Sequence, residues 1–160
     1  MNKIFYRPIG IIHSPFEEPA GTPIQPASGK DIEGSVEVFS EFEEGLQDLS
    51  GFSHIILLYH LHLSGEATLK VKPFLDHELR GVFSTRAPSR PNAIGLSVVR
   101  LLAVEGRYLQ VADLDIIDGT PLLDIKPFVP HFDRAEDIRT GWLESKTGKV
   151  HGAKDDGRFS

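Results

Sequence analysis

The chain has 160 residues and no cysteine. That absence alone excludes disulfide bonds, zinc–thiolate sites and thiol nucleophiles. It fits a reducing compartment. Nothing at the N-terminus resembles a signal peptide, because Lys3 and Arg7 precede no long apolar run. A cytoplasmic protein is therefore expected. The longest apolar run, Ile55–Tyr59, is far too short to span a bilayer, so no membrane role is expected. No G-x-G-x-x-G follows a strand-like segment, and there is no P-loop lysine motif and no G-x-S-x-G elbow. The common dinucleotide, nucleotide and hydrolase designs are thus missing. No internal repeat is visible.

What is present is globular. Apolar residues make up 40% and charged residues 25%, which is not a disordered composition. A domain of this length can bury roughly 70% of the surface its unfolded chain exposes, so a real core is possible. The net charge of −6 argues against a nonspecific nucleic-acid coat. The charge is unevenly spread. Asp31 to Leu69 is acid-rich and has no Lys or Arg. Leu79 to Val104 holds Arg80, Arg86, Arg90 and Arg100 and no acid. Either the arginines form one positive patch on a negative body, or they point different ways and pair with acids elsewhere.

Alternation and turn residues predict strands over Ile4–His13, Gly34–Phe39, His54–His62, Thr68–Phe74, Gly81–Arg86, Leu96–Val104, Tyr108–Ile117 and Leu122–Val129. The run His54–His62 predicts a strand buried on both faces. Glu105-Gly106-Arg107 predicts a hairpin turn. Ser14–Gly29 has four prolines and two glycines and predicts a long loop. Ser40–Leu49 predicts a short helix capped by Ser40, and Asp133–Glu144 can hold another. Strands outnumber helices and βαβ alternation is absent. The expected fold is mostly β: a small β-barrel with a few short helices and a flexible C-terminal tail. The barrel domain is expected over residues 1–144, with residues 145–160 as a loose tail.

Three groups of residues offer chemistry. His60 and His62, two apart on a strand, share a face and could bind a metal with His54, Asp76 or His77. No third ligand has a diagnostic spacing, so no metal is expected. The segment Gly81–Ser97 delivers Arg86 and Arg90 on a loop stiffened by Pro88 and Pro91, with Asn92 and Gly95 supplying turn chemistry. Such a loop suits recognition of a carboxylate or phosphate by a guanidinium, or it is a structural turn with solvated arginines. In the segment Asp113–Pro130, Asp113 and Asp115 are expected on one strand face and Asp118 in a turn. Asp124 and Lys126 share a face beyond it. Acids in an apolar strand must be solvated, paired or functional.

Thr85-Arg86 with Arg90-Pro91-Asn92-Ala93-Ile94-Gly95-Leu96-Ser97, and Asp118-Gly119-Thr120-Pro121-Leu122-Leu123-Asp124-Ile125-Lys126-Pro127, together resemble the signatures of the TsaA-like (TrmO) family. Pro8–Phe16 and Phe52-Ser53-His54 are similar to it too. The resemblance covers roughly Ile4 to Pro130, and Ala93 stands where the family commonly has proline. It implies an S-adenosylmethionine-dependent methyltransferase with a β-barrel in place of the usual nucleotide-binding fold. It also implies a homodimer, and tRNA as substrate at the exocyclic nitrogen of threonylcarbamoyladenosine beside the anticodon. By the same resemblance the cofactor is expected at Pro26, Ala27, Ser28, His62, Leu63, Arg86, Leu96, Ala112, Asp113, Leu114 and Asp115.

The acceptor is urea-like and needs help losing a proton. Asp118 and Asp124 are the expected catalytic groups, with Asn92 orienting the base. Arg90 and Lys126 are expected to meet the RNA, and Phe83 or Phe128 to stack on loop bases. Three rival readings are a methyltransferase of a small molecule or another nucleoside, a noncatalytic cofactor-binding module, and a histidine metal enzyme.

Overall fold

The computed structural model describes residues 2–24, 26–146 and 154. Eight strands are present among them: β1 (Gly10–His13), β2 (Glu33–Val38), β3 (His54–His60), β4 (Lys70–Val71), β5 (Arg80–Gly81), β6 (Ile94–Glu105), β7 (Tyr108–Ala112) and β8 (Thr120–Pro127). Six of them close into an antiparallel barrel in the order β1-β2-β7-β6-β3-β8, with β8 returning to β1. The expected barrel is borne out.

Inward positions alternate along each strand as the pleat requires. Ile55, Leu57 and Tyr59 of β3 meet Val36 and Val38 of β2, Val99 of β6, Leu109 and Val111 of β7, and Leu122 of β8. Each fully buried side chain of this kind contributes about 1.5–3 kcal/mol before entropy is counted. The outward Ile56 and Leu58 are only half-buried. β3 is therefore buried on one face, not two, because a barrel has a single dry side.

Several local expectations differ from the structure: of the strand expected over Gly81–Arg86, Val82–Ser84 is a 3-10 helix, and of that over Thr68–Phe74 only Lys70–Val71 is paired. The first strand begins at Gly10, and Ile4, Phe5 and Tyr6 are exposed. β7 ends at Ala112, since Asp113 adopts a left-handed φ of 68° and breaks the ladder. Ser40–Leu46 is a 3-10 helix and Ser40 makes no capping bond. Asp133–Glu144 holds no long helix. A single α-turn at Pro130–Asp133 (α1) precedes it, and Gly141–Leu143 forms a 3-10 turn.

Between β3 and β6 the chain leaves the barrel to build a small lobe. The two-stranded β4–β5 ribbon packs Val71, Val82 and Ala87 with Phe74 into a second core. The chain's later residues hold this lobe. Trp142 Nε1 donates to the Ser84 carbonyl at 2.9 Å, and the Arg80 guanidinium lies 5.5 Å from the Trp142 ring centre. Lys146 Nζ reaches the buried Asp76 carboxylate at 2.7 Å. Lys154 forms an isolated bridge with Pro23. The remainder of the expected tail lies outside the described residues.

Candidate functional site

The site begins with one cross-strand pair. Tyr59 on β3 faces Gly95 on β6. A Cβ on Gly95 would overlap the Tyr59 ring, so glycine here is a matter of clearance rather than of turn geometry. With the ring lying across Gly95, the phenol oxygen comes 2.8 Å from Ser97 Oγ, one pleat further along β6. Ser97 Oγ in turn donates to Asp115 Oδ1 at 2.6 Å. Ser97 has one hydroxyl proton. With Asp115 ionised, the donation therefore runs from Tyr59 to Ser97 to Asp115.

Tyr59 and Asp115 border a cavity of about 430 Å³ at this end of the barrel, within the range of ligand sites. Burial pushes the Asp115 carboxyl up to about 7, against lowering by the Ser97 hydrogen bond and the Arg86 charge. Burial, with the Asp115 charge adding to it, also raises the Tyr59 phenol well above its ordinary value. Both groups are held in their proton-bearing forms more strongly than in water.

The small lobe forms the opposite wall. Thr85 Oγ1 donates to the Val82 carbonyl at 2.8 Å and accepts from the Ala87 N–H at 3.2 Å. Arg90 Nη1 donates to the Thr85 and Ala87 carbonyls at 3.2 and 3.3 Å. Arg90 therefore braces the loop that carries Arg86, while both residues and Asn92 line the cavity. Arg80 pairs with Asp76 and Glu78, and Arg100 with Asp31 and Asp113. The four arginines thus divide: two are matched to acids and two serve the cavity.

His62 lies beyond the end of β3. Thr120 Oγ1 gives its proton to the Ile117 carbonyl at 2.7 Å, so it accepts from His62 Nδ1 at 3.3 Å. The His60 backbone is a second hydrogen-bond partner of the ring. Burial, followed by the charge of the nearby His60, lowers the His62 pKa against a raising hydrogen bond to the His60 backbone. The half-exposed Leu63 and Leu96 add apolar wall suited to a flat ring.

The floor joins two motifs a hundred residues apart. Ser14 N donates to Asp118 Oδ1 at 3.0 Å, and Ser14 Oγ donates to the Ile116 carbonyl at 2.6 Å. The Asp118 and Gly119 N–H groups donate to the carbonyls of Phe16 and Ile12. The Pro26–Gly29 turn is seated tightly beside this floor. A Cβ on Gly29 would strike the Leu114 carbonyl.

The structure therefore brings His62, Leu63, Arg86, Arg90, Asn92, Leu96 and Asp115 to one cavity. Pro26, Ala27 and Ser28 do not line that cavity; the turn they belong to meets the Leu114 carbonyl through Gly29. Other expected residues are elsewhere. Ala112 and Leu114 are core. Asp113 faces away from Asp115, held by Arg100 at 2.8 Å, and that bond first of all lowers its pKa. Asp118 braces Ser14 and lies 3.5 Å from His13 Nδ1. Asp124 pairs with Lys126 at 2.8 Å, near the opposite cavity lined by Phe42 and Phe52. Among the described residues no group of three His, Asp or Glu is placed to hold a metal. The three-residue set Tyr59, Ser97 and Thr120 was missed by sequence reasoning. The signal was the pairing of a strand glycine with an aromatic, which needs the register to be known.

The fold and site define a small closed antiparallel β-barrel domain whose end cavity combines a guanidinium, a carboxylate and apolar walls. More narrowly, residues 11–134 match the family model described as the tRNA-methyltransferase O N-terminal domain, and the chain belongs to that family. A probable S-adenosyl-L-methionine-binding protein of Pyrococcus abyssi is 60% identical over 156 residues, covering 98% of this chain and 85% of that protein. A human protein named tRNA (adenine(37)-N6)-methyltransferase is 38% identical over 138 residues, covering 82% of this chain and 31% of its own length. The crystal structure of TrmO from Pseudomonas aeruginosa superposes with a TM-score of 0.74 at 38% identity, covering 88% of this chain and 63% of that one. The chain thus spans most of the archaeal relative but about a third of the human one.

Proposed function

We propose that this protein is an S-adenosylmethionine-dependent methyltransferase of tRNA, acting on the N6 nitrogen of threonylcarbamoyladenosine beside the anticodon. The observation that carries the reading is the cavity in which Arg86, His62 and Asp115 converge between the two family motifs. The printed name of the human relative supports adenine N6 of tRNA as the acceptor, and the name of the archaeal relative supports the cofactor.

The residues fit that cofactor. Arg86 offers a guanidinium to its amino-acid carboxylate. Leu63 and Leu96 offer apolar faces to its adenine. The Pro26–Ser28 turn and the Ala112–Asp115 segment frame the floor between β7 and the cavity. When bound, S-adenosylmethionine supplies a methyl group on a sulfonium that is already an activated leaving group. The protein's part is then alignment and exclusion of water. Asn92 and Arg90, on the rim, orient the acceptor nucleoside. Asp118 keeps the floor in register through Ser14, and Asp124 and Lys126 belong to an outer surface available to RNA. Residues 1–144 act as one barrel domain. On the same reading the protein works in the cytoplasm as a homodimer.

Calorimetric titration with S-adenosylmethionine, with ATP as control, comes first. Methylation of tRNA bearing threonylcarbamoyladenosine, read by mass spectrometry of the digested nucleosides, follows. Cofactor-dependent gain of one methyl on that nucleoside is expected. Binding without turnover on any tRNA would return the protein to a cofactor-binding module.

A further inference from the structure

Two acids expected from sequence to receive the acceptor's proton have other partners. Asp118 bonds to Ser14 N, and Asp124 pairs with Lys126, and neither borders the cavity. One carboxylate does border it, and it is built in. Asp115 is held by a chain of two hydroxyls, Tyr59 to Ser97 at 2.8 Å and Ser97 to Asp115 Oδ1 at 2.6 Å. Tyr59 and Ser97 are themselves buried, at 6% and 1% exposure. The chain depends on Gly95, whose missing side chain lets the tyrosine ring lie where it does. A core that needs only volume at this point would be served by phenylalanine and alanine. The hydroxyls instead hold the carboxylate by Oδ1 at the edge of the cavity.

We propose that Asp115 is the catalytic residue that takes the proton from the acceptor nitrogen, and that Tyr59 and Ser97 are positioning residues that hold its carboxylate for that task. The inference rests on the methyltransferase reading above. The acceptor N–H bond breaks and its proton goes to the Asp115 carboxylate. The nitrogen keeps that electron pair and forms the N–C bond, while the C–S pair stays with sulfur. The negative carboxylate and the positive sulfonium are both neutralised, so the step leaves the net charge of the cavity unchanged. Asp115 returns its proton to water when the site opens.

The groups facing Asp115 are Ser97 from β6, Tyr59 from β3 and Arg86 from the lobe, with His62 on the same cavity. Burial sets its titration near neutrality, where a general base is most effective. A neutral His62 does not compete as a cation.

The test has two arms. Carbon-13 labelled aspartate, assigned with Asp115→Asn, gives the titration of the carboxyl in the ligand-free protein. A midpoint near 7 is expected, rising in Ser97→Ala and less in Tyr59→Phe. In the methylating enzyme, the acid limb of the kcat profile is expected to move upward with the same two variants. Asp115→Asn is expected to lower kcat by roughly a hundredfold or more with the cofactor Kd within about threefold of wild type. A midpoint between 3 and 5, an acid limb unmoved by Ser97→Ala, or an Asp115→Asn protein that loses cofactor affinity but keeps kcat would each overturn the inference. Failure of the folded wild type to methylate any tRNA overturns the function reading and this inference with it. A methylating wild type with the other outcomes overturns the inference alone.

Discussion

Two carboxylates in this molecule lie out of water for opposite reasons. Asp76 is surrounded by donors: Arg80 at 2.6 and 2.7 Å, Lys146 at 2.7 Å, and the N–H groups of His77 and Glu78. The Lys146 bond first, then the others, holds its pKa far below the ordinary range. Asp115 receives a hydroxyl instead of a bonded cation, and its carboxyl rises to about 7. The first is an anchor and the second is held ready to change state. The sign of the pH effect follows. Between the ordinary carboxyl value and 7, the folded protein holds a proton on Asp115 that the unfolded chain has lost, so its contribution to stability falls as pH rises through that window. Asp115→Asn keeps an acceptor for Ser97 and carries no charge. At pH 8 it is expected to melt above wild type by roughly 4–8 °C, or about 2 kcal/mol at this size. At pH 4 the two proteins are expected to melt together. Equal melting at both values would show that the carboxyl is not penalised by burial. Arg86→Ala is expected to weaken S-adenosylmethionine binding by about 1.5–3 kcal/mol, the scale of a hydrogen bond to a charged group. An unchanged Kd in a folded variant would remove Arg86 from the site.

At the scale of elements, β6 carries more of the site than its apolar pattern suggests. Gly95→Ala puts a methyl group into the Tyr59 ring and is expected to destabilise the barrel by roughly 1–3 kcal/mol, as overpacking does. Gly95→Ala combined with Tyr59→Ala is expected to cost less than the sum, since the clash vanishes with the ring. Denaturant unfolding of the four proteins of this cycle measures the coupling, and strict additivity would mean that the ring and the glycine are not neighbours. The loop with Arg86 and Arg90 was legible in the sequence, because prolines restrict the backbone and the stretch carries arginines but no acid. The reason for Gly95 was not legible. A glycine beside Asn-Ala reads as a turn until the strand opposite supplies an aromatic. Asp113 misled for a related reason: alternation put it beside Asp115, yet its positive φ turns the chain so that it meets Arg100. The barrel itself followed from short alternating runs, and the short ends of β1 and β7 were lost because hydrophobicity continues past the ladder. The lobe's link to Trp142 and Lys146 pairs residues about sixty or seventy positions apart, which no local pattern reveals.

At the scale of the whole molecule, a net charge of −6 must be reconciled with the RNA substrate proposed above. The division of the arginines gives the reconciliation. Acids neutralise Arg80 and Arg100 on the body, while Arg86 and Arg90 keep the cavity side cationic. Binding of tRNA should therefore depend on few phosphate contacts. For about three, raising salt from 50 to 200 mM weakens binding by roughly twenty- to fortyfold. Binding that ignores salt would point to a small-molecule acceptor. The closure of the barrel has a kinetic corollary. Gly10–Ile12 hydrogen-bond to Thr120–Leu122, so the last seam joins segments more than a hundred residues apart. Loop entropy must be spent before that seam returns any energy, which puts the chain among slow-folding topologies. During synthesis the first strand emerges long before its second partner. Until β8 arrives, the nascent chain must wait with its barrel open.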